Sequence, residues 1–494
     1  MSVFKKINFG LFITLLITLL VFPLQDGDTF FYLAIGRYFF EHGSFPEADI
    51  YSYVSKNWHI LHEWLSYLIF YAVYLVGNYV GLILFKTAIW AGIFFTFLKY
   101  VTKFKLNLIF SYLILLLTVI ACSHRFTERA SLFSEVFFVL IFYWFVNANN
   151  FLSKKLYFLP LIFLAWVNMH PGYILGLFII TLFLIFDLFE CFWQRKSARR
   201  RPKIFIFSYI LCFIALLINP YFINGVLYPI KTVLKPSWDL YKSFNYEWMP
   251  TFNSPFVETF EVRVLCVLIL VSFFLLFRNF KIYKNKFVLY LALHVGLIIL
   301  ISQASRFMTT GSLGLCILSL KYLKDKNIEN LQLFTLKTNF ESVFLVLFGI
   351  CQISAIVYIL NFGYISTAGP RKFEFGIDSE IFPVEAVNFI QNHQIQGKIF
   401  NEYEWGGYLI WKLNRADSIF IHGHIDDPNL LAHDYQAINS PANKFDQTIQ
   451  KYGIKYFLLD RIKLLRPGAE NLLNHLEKNK LIFSNASSIL VEVN

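Results

Sequence analysis

Eleven apolar runs, each long enough or nearly long enough to cross a bilayer, dominate this sequence of 494 residues. A helix needs about 20 apolar residues to span the hydrocarbon core, and shorter runs complete the crossing with flanking residues or a change of tilt. Hydrophobic residues make up 57% of the chain and charged residues only 15%, too little polar surface for a soluble domain. The sequence therefore predicts a polytopic α-helical membrane protein. The runs lie near 9–24, 80–98, 107–121, 131–147, 156–169, 172–192, 204–218, 260–277, 287–301, 307–320 and 341–361.

The basic residues predict how these helices are oriented. Lys5 and Lys6 precede the first run, and the densest basic cluster is "RKSARRRPK" at 195–203. If 64–77 is an interfacial helix and not a span, this cluster lies on the same side as the N-terminus, as the positive-inside rule requires. We therefore expect about 11 transmembrane helices, a cytoplasmic N-terminus and an extracytoplasmic C-terminus. The net charge of +12 is then explained by topology and lipid contact, so no nucleic-acid partner is expected.

The same topology divides the chain into two predicted domains. Residues 1–361 form a transmembrane domain with two long outer loops, 25–79 and 219–259. Residues 362–494 form a small extracytoplasmic α/β domain, with strands expected at 398–401, 418–423, 455–460 and 488–493 and helices at 383–393, 405–413 and 469–478.

The first outer loop carries an acidic pair, Asp26 and Asp28, directly after the first apolar run. Aromatic and aliphatic residues then recur at helical spacing over 29–41, and a second helix is expected from "LHEWL" at 61–65. Helices with few charges and many aromatic residues are typical of the membrane interface. We therefore expect both helices to lie in the membrane plane and to hold the acidic pair at the depth of the lipid headgroups.

The order of these motifs resembles the first loop of GT-C membrane glycosyltransferases. It is similar to protein O-mannosyltransferases and aminoarabinose transferases, and more closely to bacterial GT-C-like proteins that are mostly without an assigned substrate. The residues that carry the resemblance in the loop are Asp26, Asp28, Gly36, Arg37, Gly43, Pro46, Asp49, Ser52, Glu63, Trp64 and Leu65. Further along, the resemblance rests on "WVNMHPGYILG" (166–176), "NPYFINGVLYP" (219–229), "EWMP" (247–250), "SRF" (305–307) and "NEYEWGGYLIWKL" (401–413).

The resemblance implies a function and a location. The protein would be a hexosyltransferase-like enzyme of the bacterial inner membrane. It would move a sugar from a polyprenyl-phosphate-linked donor to an acceptor hydroxyl on a lipid, glycan or protein at the extracytoplasmic face.

The chemistry of glycosyl transfer suggests roles for the charged residues of the outer face. A carboxylate must take the proton of the acceptor hydroxyl, and Asp26 and Asp28 are the catalytic candidates. The pair could instead hold a divalent cation, Mg or Mn, through its hard oxygen ligands. Guanidinium groups match a leaving phosphate, so arginines are natural donor ligands. The substrate-binding candidates are Arg37, Asp49, His62, Glu63, Arg125, Arg129, His170 and Arg306.

Each of these residues also has a structural alternative. An acidic pair beside a span is often a polar helix terminus, and arginines at membrane boundaries often reach for headgroups. Asp49 could cap the turn after Pro46, and Glu63 could be the polar face of a helix. His170 could line a cavity or satisfy the backbone carbonyl freed by Pro171.

The whole chain has an alternative of a different class, a non-catalytic lipid or polysaccharide transporter or an assembly partner with the same fold. A transporter would be expected to carry charges near the bilayer midplane. The few charges inside these apolar runs, such as Lys86 and Asp187, lie nearer helix ends, which favours an enzyme at the membrane surface.

The tail differs from the resemblance at one point. Relatives tend to have an Asp-Gly-Arg sequence after the tail strand, whereas this chain has His422, Gly423 and His424. With Asp426, Asp427 and His433, these histidines approach the spacing of a metal site. We interpret the stretch as a polar loop after a strand and predict no zinc there.

Overall fold

The computed structural model describes residues 3–55, 60–148, 154–193, 201–235, 242, 246–253, 255–284, 286–325, 338–425, 427, 430–435, 442–465 and 470–493. The chain divides into two compact units. The transmembrane unit comprises Met1–Pro23, Ile83–Pro229 and Lys242–Phe375. The loop–tail unit comprises Leu24–Leu82, Ile230–Tyr241 and Gly376–Asn494.

The described residues contain six helices long and apolar enough to cross a membrane. These are Val3–Leu20, Trp64–Lys103, Leu108–Arg125, Tyr173–Glu190, Phe260–Arg278 and Glu341–Phe362. Four shorter apolar helices cover Ser131–Asn147, Lys155–Met169, Lys203–Leu216 and Phe287–Gln303. The chain is therefore an integral membrane protein by the length and composition of its helices, as predicted.

The helices of the first half of the chain are α1 to α9. Their bounds are α1 Val3–Leu20, α2 Gly27–His42, α3 Trp64–Lys103, α4 Leu108–Cys122, α5 Ser131–Asn147, α6 Leu159–Met169, α7 Tyr173–Trp193, α8 Arg201–Leu216 and α9 Phe222–Val233. The second half adds α10 Phe260–Arg278, α11 Phe280–Tyr283, α12 Phe287–Gln303, α13 Met308–Asp325 and α14 Thr338–Phe362, then α15 Val384–Asn392, α16 Gly406–Leu413, α17 Ala442–Tyr452, α18 Arg461–Leu464 and α19 Glu470–Leu476.

Helix α13 is the central helix of the transmembrane unit. It packs against α4, α5, α10 and α12, and all its residues from Met308 to Leu323 are buried. A helix surrounded by other helices does not need a lipid-facing surface. This explains why α13 tolerates three glycine or serine residues at 311, 312 and 314 and is less hydrophobic than its neighbours.

Helix α3 is broken at Asn78, whose φ of 50° and ψ of −146° are not helical. The 40 residues from Trp64 to Lys103 are therefore two helices joined at this residue. This confirms the prediction that 61–77 and 80–98 are separate elements, because one continuous helix of this length would be roughly 60 Å long, twice the hydrocarbon thickness.

The loop–tail unit contains a four-stranded sheet in the order β3-β4-β6-β5. Its strands are β3 Ile399–Asn401, β4 Tyr456–Asp460, β5 Lys480–Ser484 and β6 Ser488–Glu492, and only the β3–β4 pairing is parallel. A separate hairpin in the transmembrane unit, β1 Tyr364–Ser366 and β2 Gly369–Arg371, precedes it.

The predicted α/β tail is confirmed in class, with one element corrected. Three of the four predicted strands are present, but 418–423 is not a strand. Ile419 forms single bridges to Ser52 and Ile399, and the amides of Phe420 and Ile421 donate to the Asn401 side chain instead of to a neighbouring strand. Strand β5 and helix α17 were not predicted.

Helix α2 begins and ends at clear capping residues. Asp26 caps its N-terminus, and Gly43 adopts the left-handed conformation at its C-terminus, with φ of 73° and its amide bonded to Phe39 O. Its first two turns, Thr29–Gly36, are buried on every side. This differs from the expectation of a helix with one face on the membrane.

Glycines explain the burial of α2. A Cβ on Gly407 of α16 would lie 2.2 Å from Gly27 O, and a Cβ on Gly36 would lie 2.5 Å from Tyr71 Cβ. Backbone therefore approaches backbone where α16 crosses α2, and α3 lies close on another side. A helix covered by tail and loop residues in this way is a core element of the loop–tail unit.

Candidate functional site

The two aspartates of the acidic pair have different surroundings. Oδ1 of Asp26 accepts a hydrogen bond of 3.0 Å from the amide of Asp28 and so caps α2. Oδ1 of Asp28 lies 3.5 Å from Nε2 of His424. The polar-terminus alternative thus describes Asp26, whereas Asp28 faces an ionisable group from the tail.

Asp49 and His422 form a second carboxylate–imidazole pair. Oδ2 of Asp49 lies 2.7 Å from Nε2 of His422, and neither side chain is exposed. Oδ1 of Asp49 accepts hydrogen bonds from the amides of Tyr51 and Ser52, as expected for a turn cap. Burial raises the pKa of Asp49, but the charge and hydrogen bond of His422 and the two amides outweigh it, so the pKa is lowered. Asp49 therefore joins the first loop to the tail sheet.

Arg37 lies against the end of helix α16. Its guanidinium group stacks 4.3 Å from the centre of the Trp411 ring, and Nη2 donates to Trp411 O at 3.2 Å. A cation near the last carbonyl groups of a helix is favourable there. Arg37 is the one arginine candidate of the loop–tail unit, and these contacts give it a packing role.

His62 and Glu63 lie together at the start of α3. Nδ1 of His62 donates to Ile60 O at 2.9 Å, which leaves Nε2 facing Oε1 of Glu63 at 3.8 Å. Glu63 is buried. Both residues belong to the turn that leads into α3.

Two arginines of the transmembrane unit converge on one carboxylate. Arg125 follows α4 and Arg129 precedes α5. Nη1 of Arg125 lies 2.6 Å from Oε1 of Glu247, and Arg129 pairs with the same oxygen. Two positive charges against one negative charge leave the group cationic.

Arg306 extends this group through Trp248. Its guanidinium carbon lies 4.2 Å from the centre of the Trp248 ring. The amide of Ser305 donates to Met249 O at 2.9 Å, and the Ser305 hydroxyl donates to Glu247 O at 3.2 Å. The structure thus brings together three of the predicted arginines through the "EWMP" segment. We call Arg125, Arg129, Arg306, Glu247 and Trp248 the arginine cluster.

His170 stabilises the turn between α6 and α7. Its Nδ1 accepts from the amide of Gly172 at 3.1 Å and lies 2.7 Å from Oγ of Ser134. Trp166 Nε1 donates to the same hydroxyl at 2.6 Å. These contacts place the ring in the turn next to Pro171, where Nδ1 bonds an amide and not the freed carbonyl of the prediction.

Sequence reasoning missed a buried charged group near the end of α1. Lys86 pairs with Glu128, both with no exposed side-chain area, and Nζ of Lys86 lies 3.3 Å from the centre of the Phe22 ring. The guanidinium group of Arg371, from β2, lies 4.1 Å from the same ring and donates to Ser123 O. Lys86 could have indicated this group from the sequence. It is a charge within an apolar run, and a buried charge requires a partner.

The residues around Asp28 do not fit a magnesium site. Asp26 uses Oδ1 in its cap, and the imidazole of His424 is the side chain facing Asp28, whereas Mg²⁺ needs several oxygen ligands. Within the described ranges, no three His, Cys, Asp or Glu side chains gather as a metal site would require; Asp426 lies outside them.

Comparisons with known proteins identify the fold. No protein-family model matches the chain, and no curated protein matches it. Among solved structures, the Archaeoglobus fulgidus oligosaccharyltransferase tethered to an acceptor peptide aligns with a TM-score of 0.55 at 10% identity, covering 98% of this chain and 73% of that one. The apo form of that enzyme aligns with a TM-score of 0.52 at 10% identity, covering 94% and 71%. At this identity the likeness is one of fold. The chain has the fold of this oligosaccharyltransferase.

Proposed function

We propose that this protein is a membrane glycosyltransferase. It moves a sugar from a polyprenyl-phosphate-linked donor to an acceptor hydroxyl at the extracytoplasmic face of a bacterial plasma membrane. The donor, the face and the transfer of a hexose go beyond what the fold shows.

The arginine cluster is the observation that carries this proposal. Arg125 and Arg129 meet at one carboxylate, and Arg306 stacks beside them on Trp248. Charge-assisted bonds from guanidinium groups to phosphate are among the strongest hydrogen bonds in proteins. A cluster with more cations than anions at the ends of apolar helices suits the phosphate of a lipid-linked donor.

Asp28 is the better of the two base candidates. Asp26 uses a carboxylate oxygen to cap α2, whereas the Asp28 side chain keeps 24% of its area exposed. A general base must reach the acceptor hydroxyl as the bond from the anomeric carbon to the phosphate oxygen breaks. Attack from the opposite side inverts the anomeric centre, and the lipid phosphate leaves with the bonding electrons.

The proposed topology has eleven spans. The ten apolar helices among the described residues, together with the enclosed helix α13, support this number. The positive-inside distribution of Lys and Arg supports a cytoplasmic N-terminus. In this topology, residues 1–361 form the transmembrane domain and residues 362–494 lie outside the cytoplasm.

An activity assay on the full chain tests this proposal. The purified protein in lipid nanodiscs is incubated with polyprenyl-phosphate-linked sugars and a mixture of hydroxyl acceptors, and release of free polyprenyl phosphate is followed. We expect turnover by the wild type and a loss of about 10²–10⁴-fold in Asp28→Asn, because a general base contributes rate enhancements of this size.

The alternative outcome is equally clear. If wild-type protein binds polyprenyl phosphate but turns over none of the donors, the protein is a non-catalytic transporter or assembly partner and not an enzyme. If Asp28→Asn retains full activity, Asp28 is not the base.

A further inference from the structure

The tail loop that contains His422 and His424 is held in one arrangement. The amide of His424 donates to Nδ1 of His422 at 3.2 Å. The other ring nitrogen of His422, Nε2, faces Oδ2 of Asp49 at 2.7 Å. The buried Asp49–His422 pair therefore positions the backbone of His424.

The ring of His424 is held next to Asp28. It stacks on the Phe31 ring with centres 3.9 Å apart and an interplanar angle of 10°. Its Nε2 then lies 3.5 Å from Oδ1 of Asp28. Gly423 permits this approach, because a Cβ at that position would lie 3.1 Å from the same oxygen.

The two carboxylate–imidazole pairs of the loop–tail unit differ in exposure. The Asp49–His422 pair is wholly buried, as expected of a pair that serves stability. In the second pair, the side chains of His424 and Asp28 keep 14% and 24% of their area exposed. Of the two pairs, the second is therefore the one that an acceptor hydroxyl can reach.

We propose that His424 is a catalytic residue that shares the role of base with Asp28, an inference that rests on the proposed glycosyl transfer. The acceptor O–H bond breaks as its oxygen forms a bond to the anomeric carbon, and the bond from that carbon to the phosphate oxygen breaks. The polyprenyl phosphate leaves with the electron pair. The released proton is held between Oδ1 of Asp28 and Nε2 of His424.

Other titratable groups also face His424. Tyr32 on α2 lies with its ring centre 6.2 Å from that of His424, and His422 lies 6.5 Å away on the same loop. The hydroxyl of Tyr403 lies 3.8 Å from where a Cβ on Gly423 would be. Of these groups, Asp28 is the one whose charged atoms the structure pairs with the His424 ring.

The test compares His424→Ala, Asp28→Asn and the double variant with wild type in the nanodisc assay, each at saturating donor and acceptor. We expect kcat of His424→Ala to fall by about 10²–10³-fold, with the KM for the donor unchanged within a factor of two. Added imidazole should raise the rate of His424→Ala at least tenfold, because a free base can occupy the space that the side chain leaves. The double variant should lose little more than either single variant, as expected of groups that act as a unit.

A matched control and a conservative variant keep the result interpretable. His393→Ala removes an exposed histidine at the end of α15 and should leave the rate unchanged. His424→Gln retains a polar side chain without a basic nitrogen, so it should unfold at the wild-type temperature yet stay as slow as His424→Ala.

Three results would overturn the inference. An active wild type with full activity in His424→Ala and His424→Gln would remove His424 and leave the proposed function intact. If His424→Ala is slow and imidazole does not rescue it, while His424→Gln keeps full activity, His424 has a structural role. A wild type with no turnover on any donor would remove the proposed function and this inference together.

Discussion

Oδ2 of Asp49 and Nε2 of His422 lie 2.7 Å apart, although 373 residues of sequence separate them. Both side chains are shielded from solvent. A charge buried without its partner is costly, so each residue depends on the other. This pair connects the first loop to the tail within the loop–tail unit.

Replacing either member of this pair should destabilise the protein. His422→Ala leaves the Asp49 carboxylate buried without its imidazole. The free energy of unfolding should fall by about 3–5 kcal/mol. The unfolding temperature in detergent, followed by tryptophan fluorescence, measures the effect. His393→Ala is the control, and an unchanged unfolding temperature in His422→Ala would show that the pair is dispensable.

The contribution of Asp49 should also depend on pH. Because the pKa of Asp49 is lowered in the folded protein, its stabilising effect is complete above the unfolded value of about 3.9 and is lost as the pH falls through the lower folded pKa. The difference in unfolding temperature between wild type and Asp49→Asn should therefore be constant from pH 7 to about pH 5 and shrink below about pH 4. A difference that grows on acidification would contradict this assignment.

The two aspartates of the first loop should be separable by substitution. Ser is a good helix cap, so Asp26→Ser should keep both stability and the rate of donor turnover near wild type. Asp26→Ala should lose about 0.5–2 kcal/mol of stability through the missing cap. Thermal unfolding and the release of polyprenyl phosphate are measured on the same preparations. Loss of turnover in a stable Asp26→Ser protein would assign the reaction to Asp26 instead.

The arginine cluster should bind the phosphate of a lipid. Arg125→Ala and Arg129→Ala should each weaken binding of a polyprenyl monophosphate by about 10–100-fold, because a hydrogen bond to a charged group contributes about 1.5–3 kcal/mol. Binding is measured by native mass spectrometry in detergent. The control is Arg278→Ala, which changes the last residue of α10. Equal affinity in all three variants would exclude the cluster as the phosphate site.

Glu247 should oppose that binding. Its carboxylate occupies Arg125 and Arg129, so Glu247→Gln leaves both guanidinium groups available to a phosphate. We expect a tighter complex with polyprenyl monophosphate, by about tenfold, in the same measurement. A weaker complex would mean that Glu247 mainly holds the arginines in place.

The prediction from sequence was most accurate where local pattern decides the structure. Apolar runs become helices because lipid offers the backbone no other partner, and the break between 64–77 and 80–98 followed from the length that one continuous helix would have. The structural alternative for Asp49, a turn cap, followed from the nearby Pro46. Each of these depends on residues close together in the chain.

The expectations that failed depend on distant residues. Residues 418–423 have the composition of a strand, but the Asn401 side chain takes the amides of Phe420 and Ile421. The burial of helix α2 on every side was not predicted, because its cover, α16, lies far along the sequence. The carboxylate partners of His422 and His424 were not predicted for the same reason, since both come from the first loop.

The close approach of Gly27 and Gly407 has a consequence for biosynthesis. The ribosome makes the first loop early and α16 roughly 380 residues later. At about 5–20 residues per second, this interval is on the order of tens of seconds. Throughout that time the apolar residues of Thr29–Gly36 have no tail to cover them. The nascent protein should therefore depend on a chaperone or on the translocation machinery to shield this segment until the last quarter of the chain, which contains α16, has been made.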